Sequence, residues 1–97
     1  MKKAKVITIC GSLKFTKEMQ QVSEQLELAG NCVLSVIYPT KTNYTQEEIA
    51  LFDQLHRQKI FMSDAIFVVN VNGYIGESTR NEIEFAKSLN KEVQFFT

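Results

Sequence analysis

The sequence predicts an α/β fold in which a four-stranded parallel sheet lies between helices. Apolar runs at residues 5–10, 32–37, 65–71 and 92–96 alternate with three segments whose apolar residues recur at helical spacing. The run from Ala65 to Val69 contains no polar residue, which is typical of a strand buried on both faces. Because this alternation implies right-handed crossovers, we expect a flavodoxin-like or Rossmann-like three-layer α/β/α architecture with strand order 2-1-3-4.

The first strand and helix are indicated by a change of apolar period. Lys5 to Cys10 is a largely β-branched run, and Gly11 and Ser12 end it. Gly30 is the expected helix stop. Between them, the spacing of four and three residues predicts one apolar helix stripe, made of Phe15, Met19, Val22, Leu26 and Ala29.

The second strand and helix are separated by a polar loop. Cys32 to Ile37 is predicted as another buried strand, and Pro39 and the residues up to Tyr44 follow it. Thr45 opens helix two, and Glu48 three residues later completes a capping box. A less regular apolar face is expected from Ile49, Phe52, Leu55 and Ile60.

The third strand and helix lead to a short final strand. The strand is predicted from Ala65 to Val71 and the final one from Glu92 to Phe96. Helix three ends near Asn90 and turns Ile83, Ala86 and Leu89 inward.

Composition limits the class of protein. A length of 97 residues predicts a single domain over residues 1–97, and eleven basic residues balance eleven acidic ones. We therefore expect neither a nucleic-acid polymer nor a membrane as partner. No apolar run approaches the ~20 residues of a membrane span, and no leader with a small-residue cleavage site is recognisable, so a cytoplasmic location is expected. Cys10 and Cys32 lie in apolar runs without metal-ligand spacing, which predicts buried, reduced thiols and no metal site.

Two loops should meet at the carboxyl edge of the sheet. Gly11 and Ser12 follow strand one, where their backbone and hydroxyl groups can hold a phosphate or a sugar hydroxyl. The alternative is a tight turn in which Ser12 or Thr16 only caps the helix. The second loop lies between strand three and helix three and should face the first across a crevice.

That second loop carries several candidate ligand-binding residues. Asn72-Gly73 resembles a hairpin turn, but no returning strand follows, so an open binding loop is expected. Tyr74 either stacks on a base or packs the loop against the protein or against a second subunit. We expect one anion to contact four residues of the two loops, namely Ser12, Gly76, Ser78 and Thr79.

Glu82 has two interpretations. Thr79 and Glu82 have capping-box spacing, which would make the glutamate structural. Alternatively, the positive helix terminus keeps its carboxylate ionised, as a nucleophile requires. Glu77 is a candidate second carboxylate for glycosidic chemistry, with a solvated loop charge as the alternative.

The other titratable residues near these motifs are interpreted differently. His56 lies in a polar stretch of helix two and is either solvated or part of the site. Asp64, at the opposite edge of the sheet, is predicted to be a structural turn residue.

These motifs, in this order, resemble the nucleoside 2-deoxyribosyltransferase-like superfamily. The similarity rests on Cys10-Gly11-Ser12-Leu13, on Ser63-Asp64-Ala65-Ile66 and on residues 76–86, where Glu82 precedes Ile83-Glu84-Phe85-Ala86. That superfamily includes transferases that exchange bases on deoxyribose and hydrolases that cut deoxynucleoside monophosphates. The family pattern has a small residue where this chain has Glu84.

The resemblance implies roles for particular residues. Glu82 corresponds to the catalytic glutamate. Gly11 and Ser12 would contact sugar or 5'-phosphate. In the family, an acidic residue on the preceding helix often touches the sugar or base, and the position in this chain that corresponds most nearly to it is His56. The 5' end of the ligand would contact Gly76, Ser78 and Thr79.

The expected function is therefore that of an N-glycosidic enzyme acting on a nucleoside or nucleotide, without a cofactor. Glu82 would attack the anomeric carbon, and Glu77 or His56 would protonate the departing base. The alternatives are a non-catalytic nucleotide-binding or sensing domain and a pure interaction module. Because the family often completes its sites across subunits, a homodimer or higher homo-oligomer is expected.

Overall fold

Four parallel strands form one sheet in the order β2-β1-β3-β4, as the sequence predicts. The structure is a computed structural model and describes residues 3–97. Within that range, no helix has both the length and the apolarity needed to cross a bilayer. The elements are β1 (Val6–Gly11), α1 (Thr16–Leu28), β2 (Cys32–Leu34), α2 (Gln46–Met62), β3 (Ala65–Val69), α3 (Glu77–Ser88) and β4 (Glu92–Phe95).

The sheet has a core on each face, because successive side chains of a strand point to opposite sides. In β1, Ile9 packs on the α1 side and Cys10 on the side of α2 and α3. Met19 and Val22 of α1 complete the first core with Val69. The second core contains Ile60, Ile66, Val68, Ile83 and Ala86. The three-layer α/β/α prediction is confirmed.

The second strand is shorter and more exposed than predicted. β2 ends at Leu34 instead of Ile37, and β3 likewise ends at Val69 instead of Val71. Because β2 is an edge strand, Cys32 is exposed, and the prediction that both thiols are buried is wrong for this residue. Only Cys10 is fully buried.

Helix α2 contacts the core through very few side chains. Its buried residues are His56 and Ile60. The apolar face predicted for this helix is otherwise wrong, since Ile49, Phe52 and Leu55 are 56, 38 and 48% exposed. These three side chains instead line a cleft.

The N-terminus of α2 is fixed by the predicted capping box. The Thr45 hydroxyl accepts a hydrogen bond from the Glu48 amide at 3.1 Å, and the Glu48 carboxylate accepts one from the Thr45 amide at 2.9 Å. Two amides that the helix cannot pair internally are thereby satisfied.

Removing this cap should destabilise the protein measurably. We expect Thr45→Ala to lower the free energy of unfolding by about 1 kcal/mol, because one helix amide loses its acceptor. Urea denaturation checks this, with the exposed loop residue change Thr42→Ala as control. Equal losses in the two variants would contradict the assigned contribution of the cap.

At the opposite edge of the sheet, Asp64 has the predicted structural role. Its carboxylate accepts a hydrogen bond from the Val6 amide at 2.8 Å, and its own amide donates to the Val6 carbonyl at 2.8 Å. These contacts connect the start of β1 to the residue that precedes β3.

Candidate functional site

A cleft of about 770 Å³ opens at the carboxyl end of β1. Here the winding of the sheet reverses between β1 and β3, the position at which open α/β sheets bind ligands. Gly11 from the first loop and Ser78 from the start of α3 both line the cleft, so the two predicted loops do share one edge. Much of the remaining wall is apolar and consists of Leu13, Val36, Ile37, Pro39, Ile49, Phe52 and Leu55.

Glu82 lies in this cleft on the second turn of α3. Only 7% of the residue is exposed. The helix is capped by Gly76 without a side-chain hydrogen bond, so Thr79 and Glu82 do not form the capping box that their spacing suggests. That structural interpretation of Glu82 is wrong. The nearest polar contact on its own helix is Ser78, whose hydroxyl is 3.4 Å from Oε2.

Burial controls the charge of the Glu82 carboxyl. Desolvation raises its pKa to about 7, and the neighbouring negative charge of Asp53 acts in the same direction. Contacts with Cys10 and Ser78 and the charge of Arg57 partly oppose this effect. The expectation that this group is simply kept ionised is therefore wrong, because burial shifts its titration to near neutral pH.

His56 faces Glu82 from α2 and is buried, so the solvated alternative for this histidine is wrong. Its Nε2 lies 3.6 Å from Glu82 Oε1. Desolvation and, to a smaller extent, the positive charge of Lys59 lower the pKa of His56 to about 4, against the opposing negative charge of Asp53. The imidazole is therefore neutral at physiological pH. Its other nitrogen, Nδ1, is buried and has no hydrogen-bond partner.

Cys10 is the third polar group at this position. Its Sγ lies 3.5 Å from the same Nε2 atom of His56. Burial and the negative charge of Glu82 hold the pKa of the thiol well above its usual range. One potential ligand atom from each of Cys10, His56 and Glu82 therefore lies within 4.8 Å of the others.

In the first loop, Ser12 has the capping role. Its hydroxyl accepts a hydrogen bond from the Lys14 amide at 3.2 Å, at the start of a short 3-10 turn. Gly11 allows a close approach to β3: a Cβ atom there would lie 3.1 Å from the Val69 carbonyl oxygen and 3.2 Å from Met19 Sδ.

The loop after β3 is a tight turn and not the expected open binding loop. Residues Val71–Gly73 form a 3-10 turn in which Asn72 and Gly73 have positive φ angles of 55° and 78°. Tyr74 packs edge-on against Phe15, and Lys14 Nζ lies 3.8 Å from the centre of its ring. The structure thus shows the packing alternative for Tyr74, and Asn72 is exposed beside it.

The remaining predicted residues lie at the start of α3, where their environments differ. Gly76 is the N-cap, Ser78 faces the cleft and Thr79 is buried in the protein. Glu77 is exposed and lines an adjoining pocket of about 340 Å³. The other residues of that pocket are Asp53, Arg57, Ser78 and Asn81, so it shares Asp53 and Ser78 with the main cleft.

Three residues of the site were not predicted from sequence: Cys10, Asp53 and Arg57. Asp53 and Arg57 lie on α2 at positions −3 and +1 relative to His56, so the helical period places Asp53 on the same side as His56. That spacing is the sequence signal that associates Asp53 with His56. Cys10 had no such signal, because it reads as an ordinary core residue of a strand.

Comparisons with models of known protein families and with characterised proteins give no match for this chain.

Proposed function

We propose that this chain cleaves or transfers the N-glycosidic bond of a nucleoside or nucleotide, with Glu82 as the nucleophile. The observation that carries the proposal is a buried carboxyl group inside an apolar cleft at the switch point of the sheet. The resemblance of residues 76–86 to nucleoside 2-deoxyribosyltransferases supports it. We also propose a cytoplasmic location, where the free thiols of Cys10 and Cys32 would stay reduced.

The environment of Glu82 suits this chemistry. In its ionised form, a carboxylate with little solvation attacks the anomeric carbon, and its negative charge stabilises the positive charge that develops on the sugar. This attraction is stronger in a dry cleft than in water. Since the pKa of Glu82 is about 7, the reactive form predominates above that pH.

The groups around Glu82 take different parts in the proposed reaction. His56 is neutral and faces Glu82, so we assign it to positioning the carboxylate and not to proton donation. The other carboxyl groups at the cleft and the adjoining pocket, Glu77 and Asp53, would accept hydrogen bonds from the ligand, and the departing base would take its proton from water.

The ligand would lie along the cleft with its base on the apolar wall. Phe52, Leu55 and Ile37 offer the apolar surface that a flat base requires. Gly11 and Ser78 would contact the sugar, and a 5'-phosphate would be held near Ser12 and the N-terminus of α3, whose free amides attract anions. Gly76 and Thr79 would shape this terminus.

Product analysis tests the proposal directly. The purified chain is incubated with deoxynucleosides, their monophosphates and the corresponding ribose compounds, and free base is measured by chromatography alongside melting temperature. We expect base release from at least one of these substrates. Stabilisation without base release would replace the enzyme by a nucleotide-binding or sensing domain. If the chain shows no stabilisation and no base release with any of these compounds, an interaction module is favoured.

We further propose that the chain forms a homodimer through α2. This helix exposes several large apolar side chains outside the cleft, among them Leu51, Phe61 and Met62 at 50, 58 and 58%. Isolated exposed side chains are ordinary on a protein surface, but several on one helix favour an interface.

Light scattering after gel filtration should give the mass of two chains. Leu51→Glu should convert the dimer to a monomer, because it would bury a charge in the interface. The matched control is Gln20→Glu, which places the same charge at an exposed polar position on α1, away from the proposed interface. A wild-type protein that is monomeric at micromolar concentration would refute the dimer.

A further inference from the structure

Three different metal-ligating groups converge on one point at the inner end of the cleft. The thiol comes from β1, the imidazole from α2 and the carboxylate from α3. In a relay of nucleophile, base and orienting carboxylate, the two nitrogens of the imidazole would serve different partners. Here the same atom, His56 Nε2, faces both Cys10 Sγ at 3.5 Å and Glu82 Oε1 at 3.6 Å. The arrangement is therefore a cluster around a centre and not a chain of hydrogen bonds.

Two of the three spacings between these atoms match those around a tetrahedral metal ion. Zinc bonds of about 2.0–2.3 Å to nitrogen, oxygen and sulfur place neighbouring ligand atoms roughly 3.3–3.6 Å apart at the tetrahedral angle. The distances from His56 Nε2 to Cys10 Sγ and to Glu82 Oε1 lie at the upper end of this range, and all three ligand atoms lie within 4.8 Å of one another. We propose that Cys10, His56 and Glu82 form a binding site for Zn²⁺ or a chemically similar divalent ion.

The chemistry of the ligands selects this class of ion. A thiolate and an imidazole are poor ligands for Mg²⁺ or Ca²⁺, which prefer oxygen, and good ligands for zinc. On binding, the Cys10 thiol and any protonated Glu82 carboxyl release their protons to solvent. A thiolate and a carboxylate then balance the two positive charges of the ion, so the loaded site is electrically neutral, as a buried position requires.

The site would have an open coordination position. The three protein groups leave the fourth tetrahedral position for water or a ligand atom. His56 and Glu82 both line the cleft, so the ion would lie where a bound molecule is within reach. Because Glu82 cannot ligate a metal and attack a sugar at once, the metal-loaded and glycosidic states exclude each other.

The second nitrogen of His56 sets an upper limit on affinity. Metal-ligating histidines usually donate their other N–H to a carboxylate or carbonyl, and loss of that partner typically weakens binding 10–100-fold. His56 Nδ1 is buried without a partner. We therefore expect weaker binding than in zinc sites with a complete outer shell of hydrogen bonds.

Cobalt titration tests the site without any substrate. The full chain, treated with a chelator and then freed of it, is titrated with Co²⁺, whose bond to a thiolate gives a charge-transfer absorption band. We expect the band to saturate at one equivalent and Zn²⁺ to displace the cobalt. Cys10→Ser should abolish the band, whereas Cys32→Ser, which changes the exposed thiol of the edge strand, should keep it.

Two further variants test the site even if Cys10→Ser does not fold. His56→Gln and Glu82→Gln each leave the thiol intact and should weaken cobalt binding by roughly tenfold or more. Circular dichroism confirms that each variant is folded. The proposal is overturned if the wild type shows no thiolate band, if the band is lost in Cys32→Ser instead of Cys10→Ser, or if both folded glutamine variants bind cobalt as tightly as the wild type. Because no nucleoside is present, failure here leaves the glycosidic proposal standing, and absence of base release leaves this one standing.

Discussion

Replacement of Glu82 by glutamine should reduce base release by roughly a thousandfold or more, the size of effect seen when a nucleophile is removed. The amide has nearly the same shape as the carboxyl group, but it cannot form the glycosyl ester. The fold should tolerate the change, because the variant places a neutral group where burial disfavours a charge. Above pH 7 its melting temperature should equal or exceed that of the wild type.

Glu84→Gln is the matched control for this experiment. It makes the same chemical change two residues further along α3, at an exposed position. Base release and melting temperature are measured for all three proteins at pH 8 in the presence of a chelator. Wild-type activity in Glu82→Gln, or an equal loss in both variants, would remove Glu82 from the role of nucleophile.

The substitutions His56→Gln and Glu82→Gln should change the pH dependence of the free energy of unfolding in opposite directions. The folded protein holds the Glu82 proton up to a pKa of about 7, against 4.5 for the unfolded chain. The unfolded chain therefore binds fewer protons, and this group lowers stability as the pH rises from 4.5 to 7. His56 does the reverse, since its pKa falls from 6.5 to about 4 on folding and stability drops as the pH falls across that interval.

In the wild type these two contributions should largely cancel between about pH 4.5 and 6.5. In His56→Gln only the Glu82 contribution remains, so stability relative to the wild type should fall with rising pH. In Glu82→Gln the relative stability should rise with pH. Each change should amount to about 3.5 kcal/mol over its full interval, at about 1.4 kcal/mol for each pKa unit.

Urea denaturation of the metal-free proteins at several pH values measures this difference. Other titrating groups affect all three proteins alike, so only the difference from the wild type is interpreted. The coupled burial of the two groups would be refuted if both variants changed in the same direction with pH.

The order of strands and helices was predictable because each element carries its own local pattern. The apolar run at Ala65–Val69 and the 4-3 spacing of Phe15, Met19 and Val22 both reflect burial against the sheet. The solvent exposure of Cys32 could not be predicted from a local pattern. An edge strand and a central strand have similar composition, and only the order of strands decides which is exposed.

The position of the candidate site could be predicted from the sequence, but the full set of its residues could not. The topology of the sheet located the cleft, and the sequence pattern singled out Glu82. The family resemblance made His56 a candidate, but the contacts of Glu82 with His56 and Cys10, which lie 26 and 72 residues earlier in the chain, cannot be found from local spacing. Local rules also misassigned Thr79, whose spacing suits a cap although the helix begins two residues earlier, at Glu77.

One side of the cleft is formed by α2, a helix that few buried residues attach to the rest of the protein. Only two of its seventeen residues are buried, both in its second half, while its first half is retained by a cap. Segments with few buried contacts open at a lower free-energy cost than the whole protein unfolds. Amides of the first half should therefore exchange hydrogen early, and any molecule that fills the cleft would slow this exchange in proportion to how tightly it binds.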